Sequence, residues 1–404
     1  MNKLQQAIII MLIALSVFFT ATNLLEENMY GAQSDEGYYF KYGDLVSNTG
    51  LDGFNKLIDW YANNEEARYH PAPIRIGYIL PVALLFKIFG PNYLLLGQIS
   101  FFCFLILLFI FFHYIKKYFN KDIALFSTIM LASSPLTLAM SRRGLIDSAV
   151  NLTWGLTIWL FLDFLTTKKK REYIYFLLSF SFAILIKESA IILLPFFLLA
   201  YIFYNLKHKE KIQITSIIGT ITLPILISGV CFLVVLGGFQ NCIAGLKAIL
   251  ATHLDPNYSN TYAMLYSSGP WYRYIIDFLL LAPISTLLFI GYFFHIPTKK
   301  NIKWQETYLW LYFVVAYGIL GSLPHSKSVR LAVNLEMIIA IFSILMLYKI
   351  FENISKGEEI GRRMMLAVLT ISSLNMANFY HIFCKISLLD PISYHLLRIK
   401  HFIP

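Results

Sequence analysis

Hydrophobic residues fall along this chain in long runs separated by short polar connections. Runs of membrane-crossing length lie near 5–25, 91–115, 123–141, 148–165, 173–187, 189–206, 213–238, 273–295, 306–323, 331–350 and 364–386. A helix needs about 20 predominantly apolar residues to cross a hydrocarbon layer, so eleven spans are expected. One further apolar stretch, 73–90, is short, carries Arg75 and Lys87 and is interrupted by Pro81. It is expected to lie at the interface or to re-enter from one side. The fold class that follows is an all-α polytopic membrane protein with about eleven transmembrane helices and interfacial helices in its first large loop.

Composition agrees and excludes a soluble enzyme. Hydrophobic residues make up 58% of the 404, aromatics 16% and charged residues only 14%, against about 25% charged in soluble domains. The four cysteines, Cys103, Cys231, Cys242 and Cys384, show no CxxC spacing. Neither a metal site nor a disulfide framework is indicated. The N-terminal run has no small-x-small cleavage site and is read as a retained first span. A single integral membrane domain over 1–404 is expected, with outer loops at 26–90 and 239–272.

Charge sets the orientation. One set of alternate connections holds Lys3; Lys116, Lys117 and Lys121; Lys168, Lys169, Lys170 and Arg171; Lys207, Lys209 and Lys211; Lys299, Lys300 and Lys303; and Lys356, Arg362 and Arg363. Short cytoplasmic loops are enriched in such cations, so these lie inside and the N-terminus is cytoplasmic. The alternation holds only if 73–90 does not cross the bilayer.

The opposite face gathers the mixed polar clusters. Residues 26 to 75 hold nine carboxylates against four cations, in a chain whose net charge is +10. Asp35 and Glu36 open this segment's aromatic stretch. Beside them on the same side come His70, the Arg142-Arg143 pair with Asp147, Lys187 with Glu188, and His325 with Lys327 and Arg330. Each has a plain alternative. Asp35 and Glu36 would suit the first turn of a surface helix capped by Ser34. Arg142 and Arg143 would serve as snorkelling anchors, Lys187 and Glu188 as a self-neutralising turn, and His325 as a polar turn residue. Asp147 is harder to explain so, because an acid opening a long apolar span is costly unless paired or functional.

A carboxylate can take the proton of an acceptor hydroxyl, and arginine or lysine can stabilise a departing phosphate. Apolar spans can hold a long prenyl chain. Together these needs describe sugar transfer from a lipid-phosphate donor.

The chain here resembles the GT-C superfamily, within it the protein mannosyltransferase and aminoarabinose transferase type. The likeness rests on the first span followed by Asp35-Glu36, on Arg68-Tyr69-His70-Pro71-Ala72-Pro73 with the ending Phe89-Gly90-Pro91-Asn92, and on Ser141-Arg142-Arg143-Gly144-Leu145-Ile146-Asp147. It rests also on Lys187, and on the late Pro324-His325-Ser326-Lys327-Ser328-Val329-Arg330. Glu188 stands where the family usually has glycine, and Ala72 interrupts its doubled proline. The resemblance implies an inverting transferase fed by a polyprenyl-phosphate sugar, with Asp35 as base and Glu36 orienting the acceptor or a neighbouring cation. His70, Arg142, Arg143, Asp147, Lys187, His325, Lys327 and Arg330 are the candidates for binding donor phosphate and substrate. Implied partners are the donor lipid, membrane lipid and a glycan, lipid or protein acceptor, with no nucleic acid. The sequence requires no metal, and a divalent ion stays compatible with it. Abundant Lys, Asn, Ile and Phe suit an AT-rich bacterial genome, hence an inner membrane with the site on its outer face. Two competing classes stay open: a transporter or flippase of a lipid-linked substrate, and a glycan polymerase or ligase. Against transport, no repeat links the two halves and most charges avoid span centres.

Overall fold

The computed structural model describes residues 34–254, 268–299, 301–323, 327–354, 358–386 and 392, and among them it contains helices and no strand. The expected first span, 5–25, lies outside the described residues. In chain order the helices are α1 (Asp35–Thr49), α2 (Asp52–Asn63), α3 (Ile76–Phe89), α4 (Tyr93–Tyr118), α5 (Lys121–Ala132), α6 (Pro135–Ser141), α7 (Asp147–Thr167) and α8 (Lys170–Ile186). There follow α9 (Leu194–His208), α10 (Ile214–Val235), α11 (Phe239–Leu254), α12 (Arg273–Leu281), α13 (Pro283–His295), α14 (Trp304–Ser322), α15 (Glu336–Ile354) and α16 (Glu358–Phe379).

The expected spans that fall on described residues lie largely on helical segments, although fewer than the expected number are each long and apolar enough to cross a membrane. Among the described residues, six segments are long and apolar enough to cross a membrane, or seven if the bent pair α5 and α6 counts as one. Two expected single spans are broken instead. The run 123–141 bends by 64° between α5 and α6, where Ser133 and Ser134 precede Pro135. Proline has no N–H and disfavours helical backbone in the residue before it. The run 273–295 breaks likewise at Ala282, whose φ of −142° precedes Pro283. There Thr286 Oγ donates back to the carbonyls of Phe278 and Ala282 at 3.0 and 2.8 Å, adding to the backbone bonds those carbonyls already accept.

The described residues form two compact units, one within 24–103 and 142–260, the other within 104–141 and 261–404. In the first, α7 is the central helix, with 78% of its apolar window buried, while only 22% of α10 is buried. The outward face of α10 is still apolar, with Leu226, Val230 and Val234 exposed. A helix bordered by lipid has no reason to turn polar on its outer side. Small hydroxyl residues join the neighbours: Thr157 and Ser179 hydroxyls lie 2.8 Å apart between α7 and α8, and Ser228 Oγ of α10 donates to the Ser181 carbonyl at 3.1 Å. In the second unit the central segment is Val329–Ile354, again 78% buried.

The stretch expected at the interface is α3, a 14-residue apolar helix containing Pro81. It buries Tyr78, Ile79, Val82 and Phe86. α1 packs along it with an aromatic face, and Gly43 is needed there because a Cβ would sit 2.4 Å from Val82. Gly77 does the same work toward α8: a Cβ would meet the backbone of Ile186 and Leu185 at 2.9 Å. That close approach brings the start of α3 to the end of α8, where Lys187 and Glu188 lie.

Gly77→Ala is expected to destabilise the protein by about 1–3 kcal/mol, since backbone cannot yield as a flexible side chain would. Gly229→Ala, at a helical glycine with nothing within 4 Å, should be neutral or slightly stabilising. Thermal denaturation in detergent separates them, and an unchanged midpoint for Gly77→Ala would contradict the packing described.

Candidate functional site

The acidic segment folds so that its two leading carboxylates have different surroundings. Ser34 occupies the N-cap position of α1, but its side chain makes no cap. Its Oγ donates to Glu36 Oε2 at 3.0 Å instead. Glu36 is fully buried and receives the Arg143 guanidinium through two bonds, Nε to Oε1 and Nη2 to Oε2, the latter 2.7 Å. A bidentate arginine–carboxylate fork of this kind is among the stronger charge-assisted contacts. The expectation of two first-turn carboxylates on a surface helix therefore fails for Glu36, and that of a membrane anchor fails for Arg143. Asp35 is only half-buried. Its charge acts on the Tyr39 hydroxyl and on His70.

His70 follows a short 3-10 turn, Glu66–Tyr69. Its ring stacks on Tyr38 at 3.7 Å between centroids, and Trp60 stacks on the same tyrosine at 6.1 Å. Burial lowers the His70 pKa below its ordinary value, Lys41 adding to the effect while Asp35 and Glu66 oppose it. His70 is thus neutral near pH 7 and can accept as well as donate.

Lys187 and Glu188 do not neutralise each other. Lys187 Nζ lies 3.8 Å from Asp147 Oδ1, which accounts for an acid at the head of α7. Glu188 turns to Arg75: Nε to Oε2 is 3.0 Å and Nη2 to Oε1 is 2.7 Å, while Arg75 Nη1 donates to the Tyr39 hydroxyl at 2.6 Å. Burial works against the Arg75 charge, but Glu188 and Tyr39 outweigh it and raise its pKa above the ordinary range. Burial likewise raises the Tyr39 pKa, against the pull of Arg75, and the hydroxyl stays protonated. The loop between α6 and α7 is pinned by Tyr78 OH donating to the Gly144 carbonyl at 3.3 Å and Ser100 Oγ to the Leu145 carbonyl at 2.9 Å. Arg142 in this loop is buried.

The structure thus brings Asp35, Glu36, His70, Arg142, Arg143, Asp147 and Lys187 into the first unit. Lys327 and Arg330 belong to the second, and His325 lies outside the described residues. Lys327 is buried and its Nζ donates to the Gly269 carbonyl. Burial lowers its pKa, and Arg273 lowers it further. Arg273 itself is buried, donates Nη1 to the Ser268 carbonyl and lies 3.7 Å from Asp277. Arg330 is half-buried near the start of the 3-10 turn that leads into α15. Among the described residues no group of three or more His, Cys, Asp or Glu could hold a metal ion.

Sequence reading did not find Arg75, Tyr39 or Arg273 as parts of these networks. Arg75 and Glu188 are 113 residues apart, and nothing in one sequence links them. The only trace was Glu188 itself, a carboxylate where glycine was expected, which requires a cation from elsewhere.

Comparison with known proteins bears on the fold. Residues 72–234 match the family described as dolichyl-phosphate-mannose-protein mannosyltransferase. The fold is similar to that of ArnT from Cupriavidus metallidurans in the apo state, with a TM-score of 0.60 and 12% identity over 97% of this chain and 68% of that one. ArnT bound to undecaprenyl phosphate gives a TM-score of 0.59 at 12% identity over 98% and 68%. The Archaeoglobus fulgidus oligosaccharyltransferase in its apo form gives 0.60 at 11% identity over 92% of this chain and 56% of that chain. No curated protein sequence matches significantly. The helical membrane chain thus has the GT-C fold of these membrane glycosyltransferases, and its residues 72–234 match the mannosyltransferase family.

Removing either partner of the Arg75–Glu188 pair leaves a charge without its counter-ion. Arg75→Ala and Glu188→Gln are each expected to cost about 3–5 kcal/mol of stability, and the double variant less than their sum. A double-mutant cycle read by denaturation measures the coupling, and strict additivity would show the pair to be independent.

Proposed function

We propose that the chain transfers a sugar from a polyprenyl-phosphate-linked donor to a hydroxyl-bearing glycan, lipid or protein acceptor, with inversion, at the outer face of a bacterial inner membrane. The carrying observation is the division between the leading carboxylates. Both Glu36 oxygens are engaged by Arg143, and Oε2 also accepts from Ser34, so Glu36 holds the α1 head in place. Asp35 is the more accessible neighbour, beside a neutral His70. Its carboxylate takes the acceptor proton as the acceptor oxygen attacks the anomeric carbon. The sugar–phosphate bond breaks on the opposite face, and the phosphate leaves with the electron pair. Arg142 and Lys187 are the proposed groups for meeting that phosphate, with Asp147 positioning Lys187. The donor class is supported by the undecaprenyl phosphate bound to the structurally similar ArnT. No comparable feature favours a transporter or a polymerase.

Asp35→Asn keeps the shape and removes the base, so turnover is expected to fall at least about 10²-fold with the fold intact. Wild-type turnover by this variant, assayed with a competent donor lipid and acceptor, would remove Asp35 from the role. Orientation has its own test. Single cysteines at positions 35 and 169 should differ in labelling by a membrane-impermeant thiol reagent added from outside, with only the first reacting. Equal labelling would refute the outer placement.

A further inference from the structure

The second unit contains a cavity of about 460 Å³, within the range of small-ligand pockets. It is separate from every residue assigned to the transfer reaction. Its walls come from the α4–α5 connection, the α13–α14 connection and the last turns of α15. These are connections whose lysines lie on the cytoplasmic side by the positive-inside reading.

The charges in the pocket are unequally spent. Lys299 Nζ is 2.6 Å from Glu306 Oε2 and 3.1 Å from the Tyr292 hydroxyl, which itself donates to Glu306 at 3.1 Å. Glu306 is therefore neutralised by one lysine. Lys349 has no carboxylate partner among the described residues; its Nζ lies 2.6 Å from His295 Nε2. An ammonium can only donate, so Nε2 accepts and the ring is neutral. The ring's other nitrogen, Nδ1, faces Thr298 Oγ at 3.2 Å. Lys303 is exposed and makes no ion pair among the described residues. Against these two lysines stands one further lining carboxylate, the exposed Glu352. The pocket thus keeps a net positive charge of one. Two helices also begin on it: α5 behind the Asn120 cap, whose Oδ1 accepts from the Ile123 N–H at 2.8 Å, and α14 directly after Lys303. Their partial positive ends add to the field. Phe119, Ile123 and Leu345 give the same cavity an apolar side.

We propose that this pocket binds a phosphate group, with Lys349 and Lys303 as its charged donors and Tyr348 beside them on the rim. A singly charged phosphate diester matches the excess charge, and the apolar side would lie against carbon attached to it. That chemistry belongs to an anionic lipid headgroup and, without the chains, to a free phosphate.

The full-length protein in phosphatidylcholine nanodiscs doped with phosphatidylglycerol tests it by native mass spectrometry of retained lipid. Lys303→Gln and Lys349→Gln are each expected to weaken phosphatidylglycerol retention about tenfold, the usual effect of losing one charge-assisted contact. Glu352→Gln should strengthen it. Arg363→Gln, which breaks an exposed pair with Glu359 elsewhere on the chain, should leave it unchanged. Lys303 is exposed, so its variant reports on binding even if Lys349→Gln folds poorly. A second arm adds inorganic phosphate in phosphatidylcholine alone and follows thermal stability. Lysine-dependent stabilisation there without lipid retention assigns the pocket to a free phosphate, and lysine-dependent lipid retention assigns it to a headgroup. Retention that is equal in all variants, or that falls as much in Arg363→Gln, with no lysine-dependent effect of phosphate, overturns the proposal.

Discussion

A charge taken out of water must find its counter-ion within the protein, and the polar end of the first unit is built on that constraint. Desolvating a carboxylate or guanidinium costs several kcal/mol, which is recovered only with close geometry and further hydrogen bonds. Glu36 meets both conditions through Arg143 and Ser34, and Glu188 meets them through Arg75, which also holds Tyr39. Lys187 and Asp147 form a looser third pair. Each pair joins segments far apart in the chain: the head of α1, the start of α3, the α6–α7 loop and the end of α8. None of these segments can move without leaving a charge uncompensated. Asp35 stands beside this frame and is only half-buried.

The second unit obeys the same rule by other means. Lys327 and Arg273 donate to the carbonyls of Gly269 and Ser268, on the short stretch that enters α12. Tyr317 OH donates to the Trp271 carbonyl at 2.9 Å, and Gly321 permits that approach because a Cβ would lie 3.0 Å from the same oxygen. Deeper in the unit, Ser134 Oγ donates to the buried Glu336 at 2.7 Å at the break between α5 and α6. Proline breaks, which would strand backbone groups in lipid, occur where hydroxyl side chains take part in the local bonding.

Much of the architecture was legible in the order of residues. Span positions follow from run length, because a lipid-facing helix has no polar side to confuse the pattern. The exceptional character of 73–90 was legible from Arg75, Lys87 and Pro81, and it is the short helix α3. The splits within 123–141 and 273–295 were not anticipated although Pro135 and Pro283 were visible, since proline alone does not say whether a membrane helix kinks or ends. Of the residues selected by type and sidedness, Asp35, Glu36, His70, Arg142, Arg143, Asp147 and Lys187 fall within one unit, while Lys327 and Arg330 fall in the other.

Sequence by itself determined that the chain is helical, bound to membrane and asymmetric in charge, because hydrophobic length and lysine placement are local properties that no fold needs to complete. Pairing was decided only by tertiary structure. Lys187 and Glu188 are adjacent and opposite in charge, yet one pairs with Asp147 and the other with Arg75, because the turn after α8 directs them to different neighbours. Likewise Asp35 and Glu36 are adjacent carboxylates, and only the arrival of Arg143 from 107 residues away separates a buried structural acid from an accessible one. Long-range ion pairs depend on where helices cross, and a crossing such as that of Gly77 over the end of α8 is a property of packed surfaces.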